Sequence, residues 1–488
     1  MMKGKAWITA RRDLIYFGLV SVFLFGLACS KLAMSVSFIC YLLFFLIFGD
    51  YRLFRDRCYQ NRGWIYCLLS LLALHSLSFF WTSDVSAGWN ALRVRLSFFI
   101  FPILIATTFK WDEVRLIQLL KGMFVLLSAL MVLNFIRYVT LLNQQAVLDI
   151  RQLSWFGSHI RFGILIAFSA ALCLHLLWKQ QIDKQFAWLY LVLSTSYVVY
   201  SQTFSAVGSL LLVLLLYWAL SLRANRLSRT VFVASMVAGT VLIALIARNF
   251  LQPLVACGNF QEPSKVSLIW EKKSSWPFFG KDRKGQLLQR TCERYLCSLG
   301  KPLTAQELER LSKESVNNIE NGFTDRHVAR GGILGRYHEL KYQYHLAKDP
   351  NGHSLLQRIA YWQTALKIIA ENPIFGVGIG DIDLSLKQEY ARTALLPEFQ
   401  KRPHNMFLTT WLCCGVFGVI ILALLLGSFI YDGVRNRVWI NVVLMLILCF
   451  SMLLEDSLET QAGASFAGLF LGLIGSKEAI PMWSLKNV

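Results

Sequence analysis

Uninterrupted apolar stretches, each long enough to cross a bilayer, recur along this chain, and no other feature limits its fold more. A transmembrane helix needs roughly 17–25 such residues, and in hydrocarbon only a helix or a closed barrel satisfies every backbone polar group. The runs fall at about residues 13–29, 33–49, 64–80, 96–109, 114–136, 160–178, 186–201, 205–221, 230–250, 405–431, 438–454 and 462–476. The sequence therefore predicts an all-α polytopic membrane protein with about twelve transmembrane helices, the fourth of them short. Composition agrees. Of 488 residues, 56% are hydrophobic and only 16% charged, against about 25% charged in soluble domains.

The formal net charge of +20 brings nucleic acid to mind, but the placement of the charges argues against it. Basic residues gather in alternate short connections: "KGKAWITARR" before the first run, "YRLFRDRCYQNR" after the second, "KQQIDK" after the sixth, "RANRLSR" after the eighth and "RNR" after the tenth. The connections between them are poorer in Lys and Arg, and "LEDSLETQ" at 454–461 is acidic. The positive-inside rule then predicts cytoplasmic basic loops and two cytoplasmic termini. A nucleic-acid surface would need those charges on one contiguous face. The N-terminal run resembles a signal peptide only superficially, because no small-residue cleavage site follows it, and "GLAC" ending at Cys29 is a poor lipoprotein box.

This topology leaves residues 251–404 as one large extracytoplasmic insert between membrane segments at 1–250 and 405–488. Trp270, Trp276 and Trp362 lie in it with many aliphatics, so it is expected to fold, and mainly as helices. "TAQE" at 304–307 has the form of a capping box opening one of them. Most of the eleven cysteines sit inside apolar runs and read as inert small hydrophobes. Cys257, Cys292 and Cys297 lie in the insert, where an oxidising compartment allows one pair to bridge, but three cysteines do not say which pair.

The chemistry is concentrated in two stretches. In "QRIAYWQTALKIIAENPIFGVGIGD" (357–381), Ile359, Trp362, Leu366 and Ile369 recur at helical spacing, Pro373 ends the helix, and Gly376, Gly378 and Gly380 follow. Alternate glycines let backbone N–H groups converge on an anion, although three glycines after a helix are most often a turn. In "KRPHNMFLTT" (401–410), His404 and Asn405 open an apolar run just after two cations and a proline. By itself that pair reads as interfacial capping.

Taken together, R-x-x-x-W, a helix ending in N-P-x-x-G-x-G-x-G, and H-N before a helix with G-x-x-G resemble the O-antigen ligase and polymerase superfamily. The residues are Arg358, Trp362, Asn372, Pro373, Gly376, Gly378, Gly380, His404, Asn405, Gly415 and Gly418. The resemblance implies a metal-independent glycosyltransferase of the C type in the bacterial inner membrane. Its donor would be an undecaprenyl-diphosphate-linked glycan, its acceptor lipid A–core or another glycan, and it would need no cofactor. Arginine suits bidentate phosphate contacts, so Arg358 becomes the candidate diphosphate clamp. Histidine accepts protons near neutral pH, so His404 becomes the candidate base, working on the periplasmic face. Trp362, Pro373, the three glycines and Asn405 are expected to shape the site.

Arg93 and Arg95 in "NALRVRLSFFIFP", Arg161 in "SWFGSHIRFGILIAF", and Arg402 are further diphosphate candidates at outward helix starts. Snorkelling to membrane lipid phosphates is the duller explanation of Arg93 and Arg95, and headgroup anchoring that of Arg402, whereas a charge at the depth of Arg161 is costly and usually functional or paired. One departure from the family stands out. Phe204, in "SQTFSAVG", occupies what looks like the position of an arginine in many members. Glu455, Asp456 and Glu459 are expected to form a hydrated acidic loop rather than to orient arginines. The insert histidines lack the spacing of a zinc site, and no metal site is read from the sequence. A related polymerase is the nearest alternative function. A polysaccharide or lipid transporter is more remote, because it leaves the large insert unexplained.

Overall fold

The computed structural model describes residues 11–109, 111–143, 154–221, 241, 244–254, 258–283, 285–330, 332–346, 350–351, 353–477 and 480–484. Among these residues the secondary structure is helical apart from one isolated bridge between Lys281 and Leu287. Among the described residues, seven helices are long and apolar enough to cross a membrane: Arg12–Cys29, Lys31–Phe48, Arg62–Phe80, Val85–Thr107, Glu113–Thr140, His159–Trp178 and Met406–Arg435. Phe204–Ala219, Trp439–Leu454 and Gln461–Gly475 are apolar but shorter, and Lys184–Ser201 lies between two of the long ones in sequence. The run expected at 230–250 falls mostly outside the described residues. The chain is a multi-pass membrane protein.

It forms two compact units. The first takes residues 1–223, 361–393 and 400–488; the second takes 224–360 and 394–399. The end of the stretch expected as a separate insert, residues 361–393 and 400–404 with the glycine-rich turn, therefore belongs to the first unit.

Within the first unit, the helices Val85–Thr107 and Gln461–Gly475 lie closest. A Cβ on Gly468 would come within 2.4 Å of the Ser97 carbonyl, and one on Gly472 within 2.6 Å of Ile105 Cβ. Small residues let helix backbones approach where apolar burial offers little drive, and Ser465 and Ser97 add a hydroxyl contact of 3.2 Å. This close approach brings the link before Gln461 against the start of the Val85–Thr107 helix. Side-chain caps fix both starts: Asp84 accepts from Ala87 N–H, and Thr460 accepts from Gly463 N–H. The basic connection after Lys31–Phe48 is itself a helix, Tyr51–Gln60. Its Arg57 is buried and donates to the Thr107 carbonyl at 3.3 Å, satisfying an open helix end.

The second unit has its own core, in which Trp270, Phe278, Leu288, Leu296 and Ile319 are buried among short helices. Thr304 caps the helix Ala305–Glu309 as the capping-box pattern predicts. Cys292 is a buried free thiol in this core, whereas Cys297 is disulfide-bonded, its partner lying outside the described residues.

Candidate active site

The helix Met406–Arg435 begins with Asn405, whose side chain accepts from the N–H groups of Phe407 and Leu408. The residue before it, His404, has φ of +51°, a left-handed conformation that costs a non-glycine residue energy and needs outside support. Asp456 supplies it. One carboxylate oxygen accepts from His404 N–H at 2.9 Å; the other accepts from Asn405 N–H at 3.2 Å and from the Thr409 hydroxyl at 2.6 Å. Burial pushes the Asp456 carboxyl above the usual carboxylate range, and the Thr409 hydrogen bond only partly offsets that.

Neighbouring carboxylates complete the arrangement. His404 Nδ1 lies 3.2 Å from Glu455 Oε2. A neutral imidazole donating there carries its proton on Nδ1 and keeps a lone pair on Nε2. Glu459 takes two arginines at once, Arg95 and Arg402. Arg402 also makes a two-pronged pair with Asp383 at 2.7 and 2.8 Å. Burial works against the charge on Arg402, but Asp383 and Glu459 outweigh it and hold its pKa above the ordinary value. The Arg402 hydrogen bonds likewise hold Asp383 below the usual carboxylate range. The segment 455–459 is thus not a hydrated acidic loop. It anchors His404 and two arginines, and nothing in its composition distinguishes it from a solvated loop.

His404, its carboxylate neighbours and Arg402, but not Arg95, line a cleft of about 510 Å³ with Asn90, Ile379, Arg161 and Thr460. A second cavity of about 390 Å³ shares Arg161, Glu455 and Asp456 with it and continues along apolar residues such as Met34, Phe162 and Phe466. Among the described residues Arg161 makes no hydrogen bond or ion pair, so its charge is available at the junction of the two cavities. The other arginine candidates differ from it. Arg95 is 2% exposed and neutralised by Glu459, Arg402 is held by two carboxylates, and Arg93 is exposed on its helix and does not line the cleft. Phe204 is exposed at the start of its own helix.

Trp362 donates from Nε1 to the Pro403 carbonyl at 2.9 Å, fixing the peptide before His404. Tyr361 lays its ring 5.9 Å from the imidazole, and Tyr390 donates to the Lys401 carbonyl at 2.7 Å. Arg358 lies on the same helix as Trp362, Ser354–Glu371, in the part belonging to the second unit.

The glycine-rich turn is not an anion cradle. Gly415 has φ of +66° and breaks the Met406–Arg435 helix. The backbone groups freed by the break are satisfied by the turn: Val416 N–H donates to the Pro373 carbonyl at 3.0 Å, and Val377 N–H donates to the Leu412 carbonyl at 2.7 Å. A Cβ on Gly376 would lie 2.4 Å from the Leu412 oxygen, so only glycine permits the approach. Ile379 and Gly380 direct their N–H groups to the Ser78 and Thr82 hydroxyls. Asp381 then accepts from Ser83 and Asp84 N–H, tying the turn to the start of the Val85–Thr107 helix. The turn's amides are largely spent on the protein itself.

Among the described residues, His75, Cys413 and Cys414 bring three metal-ligating atoms within 4.8 Å of one another; they do not line the cleft. Residues 189–423 match the family described as O-antigen ligase. No curated protein matches the chain. The matched range includes Arg358, Trp362, the glycine-rich turn, His404 and Gly415, and ends before the carboxylates at 455–459.

Proposed function

We propose that the chain is a member of the O-antigen ligase and polymerase superfamily, as the match over residues 189–423 supports, and that it is a ligase moving a glycan from undecaprenyl diphosphate to lipid A–core. Catalysis takes place in the His404 cleft, on the periplasmic face of the inner membrane with both termini cytoplasmic, and needs no metal. One observation carries the reading: a histidine oriented by a carboxylate shares a cleft with the unpaired Arg161. In the reaction, the acceptor hydroxyl oxygen forms a bond to the anomeric carbon as the bond to the diphosphate oxygen breaks. The hydroxyl proton passes to His404 Nε2, and Glu455 stabilises the imidazolium that results. The diphosphate leaves as an anion toward Arg161. Its stability as a leaving group lightens the demand on the protein, which supplies charge and orientation.

Base catalysis of this kind contributes typically about 10²–10⁴-fold, so His404→Ala is expected to nearly abolish transfer while the protein still accumulates in the membrane. The lipopolysaccharide gel of the variant strain tests this. A ligase defect leaves lipid A–core without its long glycan, and the glycan accumulates on the lipid carrier. Core capped with single repeat units identifies a polymerase instead. An unchanged ladder from His404→Ala removes the proposed role of that residue.

A further inference from the structure

The chemistry outside the cleft is concentrated in a buried cluster of soft ligands. His75, near the end of the Arg62–Leu77 helix, meets Cys413 and Cys414 of the Met406–Arg435 helix, with one ligand atom of each within 4.8 Å of the others. The three residues are 3%, 0% and 3% exposed. His75 Nδ1 bonds the Leu71 carbonyl at 2.7 Å, which fixes the ring and leaves the Nε2 lone pair for a ligand, as backbone partners do for metal-binding histidines. The two sulfurs lie 3.5 Å apart. Arg95 Nη1 reaches Cys413 Sγ at 3.6 Å, and a neighbouring cation favours the thiolate that a metal needs.

We propose that His75, Cys413 and Cys414 form a binding site for a soft monovalent cation, Cu(I), through one imidazole nitrogen and two sulfurs. Sulfur ligands select Cu(I) or zinc. Zinc wants four ligands, or three and a water; the cluster has three among the described residues, each no more than 3% exposed. Cu(I) is content with two or three. A disulfide is the competing chemistry, but consecutive Cα atoms lie about 3.8 Å apart, short of the roughly 4.4–6.8 Å that disulfides span. Binding displaces the Cys413 thiol proton to solvent and changes no oxidation state, so the local charge stays balanced. The site adjoins Gly415, where the glycine-rich turn docks, and reaches Glu459 through Arg95. An occupant would therefore stiffen the Met406–Arg435 helix where the turn docks.

The purified full chain, reduced and in detergent, is titrated with Cu(I) against a competing Cu(I) chelator, and separately with Zn(II). The wild type is expected to retain one Cu(I) whose X-ray absorption shows two sulfurs and one nitrogen. Cys413→Ser and Cys414→Ser each lose it, and His75→Gln weakens it by about tenfold or more. Thiols elsewhere, such as Cys40, give the same background in every variant. The site is overturned if a monodisperse double serine variant binds the same amount of Cu(I), or if the wild type binds none. Tighter retention of Zn(II) than of Cu(I) overturns the choice of ion. Should the serine pair not fold, the His75→Gln titration decides alone, and an unchanged affinity overturns the site.

Discussion

The glycine-rich turn at 372–381 and the acidic link at 455–459 both secure the start of the Met406–Arg435 helix, but through different forces. The turn acts through backbone hydrogen bonds that replace those lost at the Gly415 break. Its geometry leaves no room for a side chain, and it carries no charge toward the cleft. The link acts through carboxylates that hold the His404 imidazole, two arginines and the strained His404 backbone. A membrane interior demands that every backbone group be paired, so the turn answers to folding. Charges in a partly dry cleft set both protonation and orientation, so the link answers to chemistry as well. Substitutions in the two regions should therefore separate stability from turnover.

The largest effect on stability is expected from Glu459→Gln. It leaves Arg95, 2% exposed, without its counter-charge, and breaking one side of a buried pair costs about 3–5 kcal/mol. Thermal unfolding in detergent measures this. A melting temperature equal to the wild type would mean that Arg95 is not held by Glu459.

Glu455→Gln is expected to do the reverse. The pair it breaks is partly exposed, at 32% and 22%, so the fold should change less than when the buried Arg95 pair is broken. An amide can donate to Nδ1, however, and thereby favour the tautomer that cannot accept a proton at Nε2. A fall in turnover on the order of 10²-fold at unchanged melting temperature fits a positioning role within general base catalysis. Loss of stability with unchanged turnover would assign Glu455 to folding and erase the contrast with the turn.

Gly376→Ala tests the other side. Its Cβ would press on the Leu412 carbonyl at a backbone conformation disfavoured for alanine, an overpacking that costs about 1–3 kcal/mol. Less protein should reach the membrane, while each folded copy keeps normal turnover. Normal abundance with lost turnover would return the turn to the substrate-binding role that its glycines suggest in the sequence.

These outcomes bear on what the residues disclose before a structure is known. Helix-length apolar runs are local, and eleven of those read from the sequence coincide with described helices. The His404–Asn405 motif and Trp362 are legible because their spacing is short. Asp456, Glu459 and Asp381 are not, because each acts on a partner far away in the chain, and an acidic connection has the same composition whether it is hydrated or paired. The role of the turn is obscured for a related reason. Alternating glycines signal close approach, but the sequence does not say whether an anion or another backbone approaches. His75 and the two cysteines escape a spacing-based reading because they come from separate helices.

The smallest effect expected concerns Asp383, the outer partner of Arg402. Its carboxylate is well exposed, so the pair is worth no more than about 1 kcal/mol even with two-pronged geometry. Arg402 hydrogen bonds hold its pKa below the usual range. A carboxyl depressed in the folded state adds stability above its unfolded pKa, near about 3.9, and loses it as pH falls through the lower folded value. Arg402 keeps its charge throughout, and Glu459 keeps Arg402 in position from the other side. Asp383→Asn should therefore lower the melting temperature slightly at pH 7, and the two melting curves should converge once the pH drops below the folded pKa of Asp383. Raising the salt concentration at pH 7 should narrow the gap too, since exposed pairs are screened. A gap that persists unchanged at low pH would show that Asp383 acts through packing rather than charge, and would place Arg402 under the control of Glu459 alone.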